Sequence, residues 1–232
     1  MGAFNSFANK YDEWFLGNKN LLISEVLLIK KAIGLPGKAL SVGCGTGLFE
    51  HILLKQYGVE VKYCVEPSEA MRKIAEARGL ITKRGFAEEI PYEDEEFDSV
   101  LLNGIISYVK DPRKSIQEAY RVLKKGGKCV VAFVPAESPY GILYRLAERL
   151  GGWDSLKEIA PERPYPVEFL RESKWKTTEE VMELMVEAGF RNISFYQTLT
   201  RHPKYSNNNI EKPKGGYESG SYVAAVGLKP NF

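Results

Sequence analysis

Histidine and cysteine are scarce in this chain, with two of the first and three of the second among 232 residues. The cysteines, Cys44, Cys64 and Cys129, each stand in an apolar segment, and none belongs to a CxxC pair. Spacing therefore offers neither a zinc site nor a disulfide framework, and a reducing cytoplasm is the expected compartment. An excess of one charge is lacking too. Lysine and arginine number 32 against 30 aspartates and glutamates, a formal net charge of +2, so no global field draws in nucleic acid or an anionic membrane. No apolar run approaches the length that spans a bilayer, and the opening MGAFNSFANKYDEWF lacks a signal-peptide core; membrane insertion and export are not expected. The opening also satisfies the Met-Gly-x-x-x-Ser pattern of N-myristoylation, which at this length is read as a chance match.

What is present is the balance of an ordinary globular protein, 44% hydrophobic and 27% charged. Apolar residues at helical spacing fill 21–34, closed by Gly34 and Pro36. KALSV (38–42) reads as a short buried strand, LFEHILLKQYG (48–58) as a helix, VKYCVEP (61–67) as a strand and SEAMRKIAEARG (68–79) as a helix with a serine start and a glycine stop. LITKRG is a weak strand and EFDSVLLNG a buried one. DPRKSIQEAYRVLKKGG is a helix that begins on Asp111 and Pro112 and ends at Gly126-Gly127, and KCVVAFVP (128–135) is the next strand. Strands alternating with helices imply a parallel sheet covered on both faces, and right-handed crossovers leave few topologies. The expected fold is α/β, a Rossmann-like, doubly wound and mainly parallel sheet of seven strands in one domain spanning 1–232. An N-terminal helical lid (1–34) precedes a core (38–134). An aromatic and helical insertion after the fifth strand (136–173) is a candidate substrate lid. A capping box from Thr177 to Glu180 then opens a C-terminal helix and strand pair (177–229).

SVGCGTG (41–47) lies where the first strand turns into its helix, the end of a parallel sheet at which ligands bind. Its glycines allow a sharp turn and close approach, and the helix start offers free N–H groups. A dinucleotide fingerprint would need glycine at 48, which is Leu48, and a P-loop needs a Gly-Lys-Ser/Thr ending that is absent. What remains is Gly-x-Gly-x-Gly followed, 19 residues after Gly47, by Glu66 at the end of the next strand. A carboxylate there can accept hydrogen bonds from two ribose hydroxyls.

ALSVGCGTG, VEPSEAM, GFAEEIPYEDEEFDSVLLNGIISYVKDP and EAYRVLKKGGKCVVAF resemble, in order and spacing, the class I S-adenosylmethionine-dependent methyltransferases of the small-molecule, methyltransferase type 11-like kind. The match covers about 38–134 and extends more weakly to YDEWF, ESPYGILY and TTEEVMELMVEAGF. The resemblance implies S-adenosylmethionine as cofactor and S-adenosylhomocysteine as product. It implies Gly43, Cys44, Gly45 and Gly47 beside the methionine part, Glu66 with Pro67 at the ribose, and Met71 packed on the adenine. Ala87 and Glu88 fall on the adenine-contacting turn, Asn103 beside the sulfonium, and Tyr11 on a leader tyrosine that closes over the cofactor. Phe86 stands where members often carry an aspartate for the adenine amino group, so either Phe86 stacks on the ring or Glu88 takes the polar contact.

Methyl transfer is an in-line displacement that needs alignment and exclusion of water more than acid or base groups. No catalytic residue is evident. His51 reads as a helix-face residue, and His202 lies in the late connection TRHPKYSNNN. By topology Tyr108, Glu137 and Tyr140 are candidates for the acceptor pocket. The absence of Asn/Asp-Pro-Pro-Tyr after the fourth strand and of a basic domain argues against a nucleic-acid acceptor, and no metal set is present. The aromatics of the insertion favour a small, partly apolar molecule. A cofactor-binding protein without transfer, a sensor or an assembly partner, fits the same residues. Nothing in the sequence defines an oligomeric state.

Overall fold

The structure, a computed structural model, describes residues 8–231. The Met-Gly-x-x-x-Ser pattern lies outside them. Helices α1 (Ala8–Gly17) and α2 (Lys19–Ile33) lead into β1 (Ala39–Val42), α3 (Leu48–Tyr57), β2 (Tyr63–Val65), α4 (Glu69–Ala77), β3 (Ile81–Lys83) and β4 (Phe97–Asn103). Then follow α5 (Pro112–Val122), β5 (Leu123–Phe133), α6 (Pro139–Leu150), α7 (Val167–Leu170), α8 (Thr178–Ala188), β6 (Arg191–Thr198), β7 (Lys214–Gly215) and β8 (Tyr222–Leu228). They form one sheet in the order β3-β2-β1-β4-β5-β8-β6-β7. The first five strands are parallel, and β8, β6 and β7 run antiparallel to their neighbours. Strand order reverses between β1 and β4, which opens a crevice at their carboxyl ends.

Each central strand is buried on both sides, and alternate residues feed two cores. Leu101, Val130 and Ala132 face α2 and α3, while Val100, Leu102, Cys129 and Val131 face α5 and α8. The aromatics of the insertion join the α2–α3 side through Tyr144, Tyr165 and Phe169. Capping follows the sequence closely: Ser68 accepts from Met71 N–H, Asp111 from Lys114 N–H, and the Thr177–Glu180 box closes in both directions.

Two expectations need correction. The sheet has eight strands rather than seven, because Lys214–Gly215 in the polar connection pairs with Tyr196 and Gln197 of β6. The helix expected to reach Gly126 stops at Val122. Buried Leu123 already pairs with Phe97, and a register shift between Phe97 and Ser99 absorbs the Lys124–Gly127 stretch within β5. Among the described residues no helix is long and apolar enough to cross a membrane, and no cluster of His, Cys, Asp and Glu could hold a metal ion.

Candidate functional site

The glycine loop runs from β1 to α3 through three left-handed residues, Gly43 (φ 69°), Gly45 (φ 57°) and Gly47 (φ 69°). At Gly43 a Cβ would stand 2.6 Å from Ile105 Cγ2, while its N–H donates to the Val65 carbonyl at 2.7 Å. That position tolerates no side chain. At Gly45 a Cβ would instead make ordinary contact with Met71 Sδ, at 3.5 Å, and the Tyr11 ring, at 4.0 Å, on the wall of a cleft. The missing atom leaves room for a ligand.

Glu66 follows β2 and is 6% exposed. Its two oxygens accept from Gly45 N–H at 3.0 Å and from Ser68 N–H at 2.9 Å, joining the loop to the start of α4. Burial raises its pKa, opposed by those two backbone donors and by the Arg72 guanidinium. A carboxylate has about four acceptor sites, so two donors leave capacity for further hydroxyls.

Around this carboxylate opens a cleft of about 190 Å³, walled among others by Gly43, Gly45, Met71, Phe86, Asn103 and Tyr108. Tyr11, Pro67, Ala87 and Glu88 also line it. Of the candidates for the cofactor, only Cys44 and Gly47 are not in the wall. Gly47 turns toward Leu80 and Ala75. Cys44 bonds to Cys64 in a disulfide with Cα atoms 5.9 Å apart. This corrects the expectation of free thiols: β1 and β2 are adjacent strands, which brings together two cysteines that sequence spacing keeps apart. Glu88 is also more committed than expected, since its Oε1 accepts from the backbone N–H groups of Lys110 and Asp111.

Beside the cleft lies a second, smaller chamber of about 80 Å³, called the inner chamber below. Tyr11, Asn103, Gly104 and Tyr108 line both cavities and separate one from the other. Asn103 is oriented there by Tyr222, whose hydroxyl donates to Asn103 Oδ1 at 2.5 Å, and the Tyr108 hydroxyl bonds with Ser173 and Tyr165. The chamber wall is aromatic, with Trp14, Tyr144, Tyr165, Trp175 and Tyr222, and carries one carboxyl group, Glu25.

Glu137 and Tyr140 line neither cavity. Glu137 accepts from Thr178 N–H at 2.9 Å, holding the insertion to α8, and the Tyr140 hydroxyl is buried against Ser206 at 2.6 Å. Their position just past β5 suggested the pocket, but both side chains serve the scaffold. His51 and His202 lie outside both cavities as well.

The helical leader is held down by a cluster that sequence reading missed. Asp12 accepts from Thr46 Oγ1 at 2.6 Å and from Arg78 at 2.6 Å, while Arg78 also donates to the Thr46 carbonyl. One clasp fastens α1, with Tyr11 on it, to the glycine loop.

A sheet of this order, with a glycine loop after β1 and a buried glutamate after β2, is the architecture of the class I methyltransferases. Residues 40–131 match a family model described as methyltransferase domain. The chain is similar along 97% of its length to a solved S-adenosylmethionine-dependent methyltransferase of Thermotoga maritima, described as a possible histamine N-methyltransferase. The two share 36% identity at a TM-score of 0.83, and 97% of that chain is covered. It is 32% identical over 226 residues, 97% of each chain, to an uncharacterized protein of Methanocaldococcus jannaschii. It is 27% identical over 217 residues, 84% of this chain and 83% of the other, to the ubiquinone/menaquinone biosynthesis C-methyltransferase of Roseobacter denitrificans. The chain belongs to the S-adenosylmethionine-dependent methyltransferases and has their class I fold.

Proposed function

We propose that the outer cleft holds S-adenosylmethionine and the inner chamber a small-molecule acceptor, with methyl transfer across the shared wall at Asn103, Gly104, Tyr11 and Tyr108. The observation that carries this reading is the pair of adjacent cavities with four lining residues in common, one walled by backbone and Glu66 and the other by aromatic rings. The residues fit the cofactor. Glu66 keeps free acceptor sites for ribose hydroxyls, Gly45 leaves the space a Cβ would fill, and Met71 and Phe86 offer apolar surface to a base. The cofactor supplies a methyl group activated by a positively charged sulfur. The protein's part is to align the acceptor and keep water out, and the helical leader and the insertion serve as covers. Tyr165 and Glu172 of the insertion stand in the chamber and cleft walls, consistent with that role.

Small molecules suit a chamber this narrow better than nucleic acid. Relatives do not agree on an acceptor, since one is described as a possible histamine N-methyltransferase and another as a C-methyltransferase of ubiquinone and menaquinone biosynthesis. The cytoplasm remains the compartment we propose, on the small-molecule chemistry alone, because the Cys44–Cys64 disulfide removes the argument from cysteine usage. The test is binding followed by transfer. S-adenosylhomocysteine at about a hundredfold above its Kd should stabilise the protein by about 2.7 kcal/mol, and NAD should not. Labelled S-adenosylmethionine incubated with a metabolite extract should pass label to a small molecule. Binding that persists without any transfer would overturn the enzymatic part of the reading.

A further inference from the structure

Glu25 stands where the fold has no use for a charge. It lies on the buried stripe of α2, among Leu21, Leu22, Val26, Leu28 and Ile29, and is 6% exposed. Among the described residues no hydrogen bond or ion pair engages its carboxyl group, and burial alone raises its pKa well above the ordinary value. Two other buried glutamates on this side differ in having donors: Glu50 accepts from Ser41 Oγ at 2.6 Å and Glu211 from Thr200 at 2.9 Å. Glu25 has the chamber.

The chamber wall has a definite electrostatic character. Among the described residues, no lysine, arginine or histidine lines it. Tyr144 packs at 5.8 Å from Tyr165 and 5.5 Å from Trp175 in tilted pairs, and Trp14 meets Tyr165 edge-on at 4.8 Å. Aromatic faces carry negative potential. The phenols of Tyr11, Tyr140, Tyr144 and Tyr222, from α1, α6 and β8, all feel the Glu25 charge, and burial keeps each of them neutral. Every group facing Glu25 is thus neutral or negative. An ionised carboxylate in such a place costs several kcal/mol unless a cation joins it.

We propose that the inner chamber binds its acceptor as a small cationic amine, with the ammonium group paired to Glu25 and enclosed by the faces of the aromatic wall. This rests on the methyl-transfer reading only for the direction of the shared wall, which places the acceptor nitrogen near Asn103. A neutral hydroxyl acceptor donates a hydrogen bond to Glu25 but leaves its charge unbalanced. An anionic one meets a carboxylate and no compensating cation. The chamber's small volume admits an amine head group rather than a bulky molecule. Before such a nitrogen can be methylated an N–H bond must break, and the Glu25 carboxylate is placed to take that proton as a new O–H bond, the electron pair staying on nitrogen.

Titration calorimetry with three probes of one shape tests this: benzylamine, benzyl alcohol and benzoate, each added to the intact chain with and without S-adenosylhomocysteine. Benzylamine should bind at least tenfold more tightly than benzyl alcohol, and benzoate should bind least. Glu25→Gln, which keeps the volume and removes the charge, should erase the preference for the amine while leaving S-adenosylhomocysteine affinity within about twofold. Equal affinity for amine and alcohol, preference for benzoate, or no binding of benzylamine would overturn the proposal, and these wild-type measurements do not depend on how the variant folds. An unchanged amine preference in a folded Glu25→Gln would overturn it too. Binding of S-adenosylhomocysteine without amine binding sinks the amine proposal alone. Amine binding without S-adenosylhomocysteine binding supports the chamber and sinks the cofactor reading.

Discussion

The two cavities on either side of Asn103 are built by opposite means. The outer cleft is made of backbone: loop glycines, the N–H groups of Gly45 and Ser68, and one glutamate whose oxygens are both already engaged. The inner chamber is made of side chains from separate elements, and its one carboxyl group has no partner among the described residues. A site whose polar groups are satisfied before the ligand arrives is preorganised, and its ligand adds to an existing network. A site with an unpartnered buried carboxyl group is complete only with its ligand, so the protein alone carries the cost. Perturbations of the two regions should therefore have opposite signs, stability lost in the outer cleft and gained in the inner chamber.

The largest expected effect falls on the outer wall. The Cys44–Cys64 bond ties the glycine loop to β2 across a sequence separation of 20. Reducing it, or replacing Cys64 with Ala, should cost about 3 kcal/mol, a fall of about 6–12 °C in Tm for a chain this long. Thermal scans with and without reductant measure this. An unchanged Tm would mean that the loop is held by the Glu66 hydrogen bonds alone. Next comes Glu66→Ala, which removes the ribose acceptor and the tie between the loop and α4. It should weaken S-adenosylhomocysteine binding by about a hundredfold, given roughly 1.5–3 kcal/mol for each hydrogen bond to a charged group. Calorimetry reads the change, and an affinity within a few-fold of wild type would remove Glu66 from the site.

The same contrast explains what the sequence made legible. The outer cleft is written in short local signals. Gly43 and Gly45 follow a strand directly, and Glu66 ends the next strand, so spacing and strand order bring them together. The inner chamber is assembled from α1, α2, α6, the insertion and β8, which are distant in sequence. No local pattern joins Trp14 to Tyr165, a pair that the structure places 4.8 Å apart. Glu137 and Tyr140 misled because position after β5 says which end of the sheet a residue occupies but not where its side chain turns. The disulfide was hidden for a related reason: Cys44 and Cys64 are unremarkable by spacing and become partners only once β1 and β2 pair. One signal for the chamber was readable. Glu25 interrupts the apolar stripe of LLISEVLLI at a position the helical period buries, four residues from both Leu21 and Ile29.

A smaller effect should strike both regions at once. Asp12 receives hydrogen bonds from Thr46 and Arg78 and so fixes α1, which carries Tyr11 in both walls and Trp14 in the inner one. The pair is largely but not fully shielded, so Asp12→Ala should cost about 1–2 kcal/mol. S-adenosylhomocysteine and benzylamine should lose affinity together, by up to about tenfold each. Loss in one alone, read by paired titrations, would show that the leader serves a single cavity rather than the wall they share.

The smallest effect has the opposite sign and separates the regions most sharply. At low pH, below the ordinary glutamate value of 4.5, Glu25 is protonated in both folded and unfolded chains, and its carboxyl group costs the fold little more than an amide would. As pH rises past that value the unfolded chain releases its proton, while burial holds the proton on in the folded chain, whose pKa is raised. The folded state then binds more protons than the unfolded one, and stability falls with increasing pH up to the folded-state pKa. An amide does not titrate, so Glu25→Gln should match wild type near pH 4 and exceed it at neutral pH by about 1 kcal/mol, or about 2–4 °C in Tm. Stabilisation by removing a buried titratable group is the mark of a group kept for function rather than for folding. Benzylamine should narrow the difference at neutral pH by supplying wild-type Glu25 with its missing cation, an effect Glu25→Gln cannot show. Equal Tm values across the whole pH range would mean that Glu25 already has a partner, and the contrast between the two cavities would then fail.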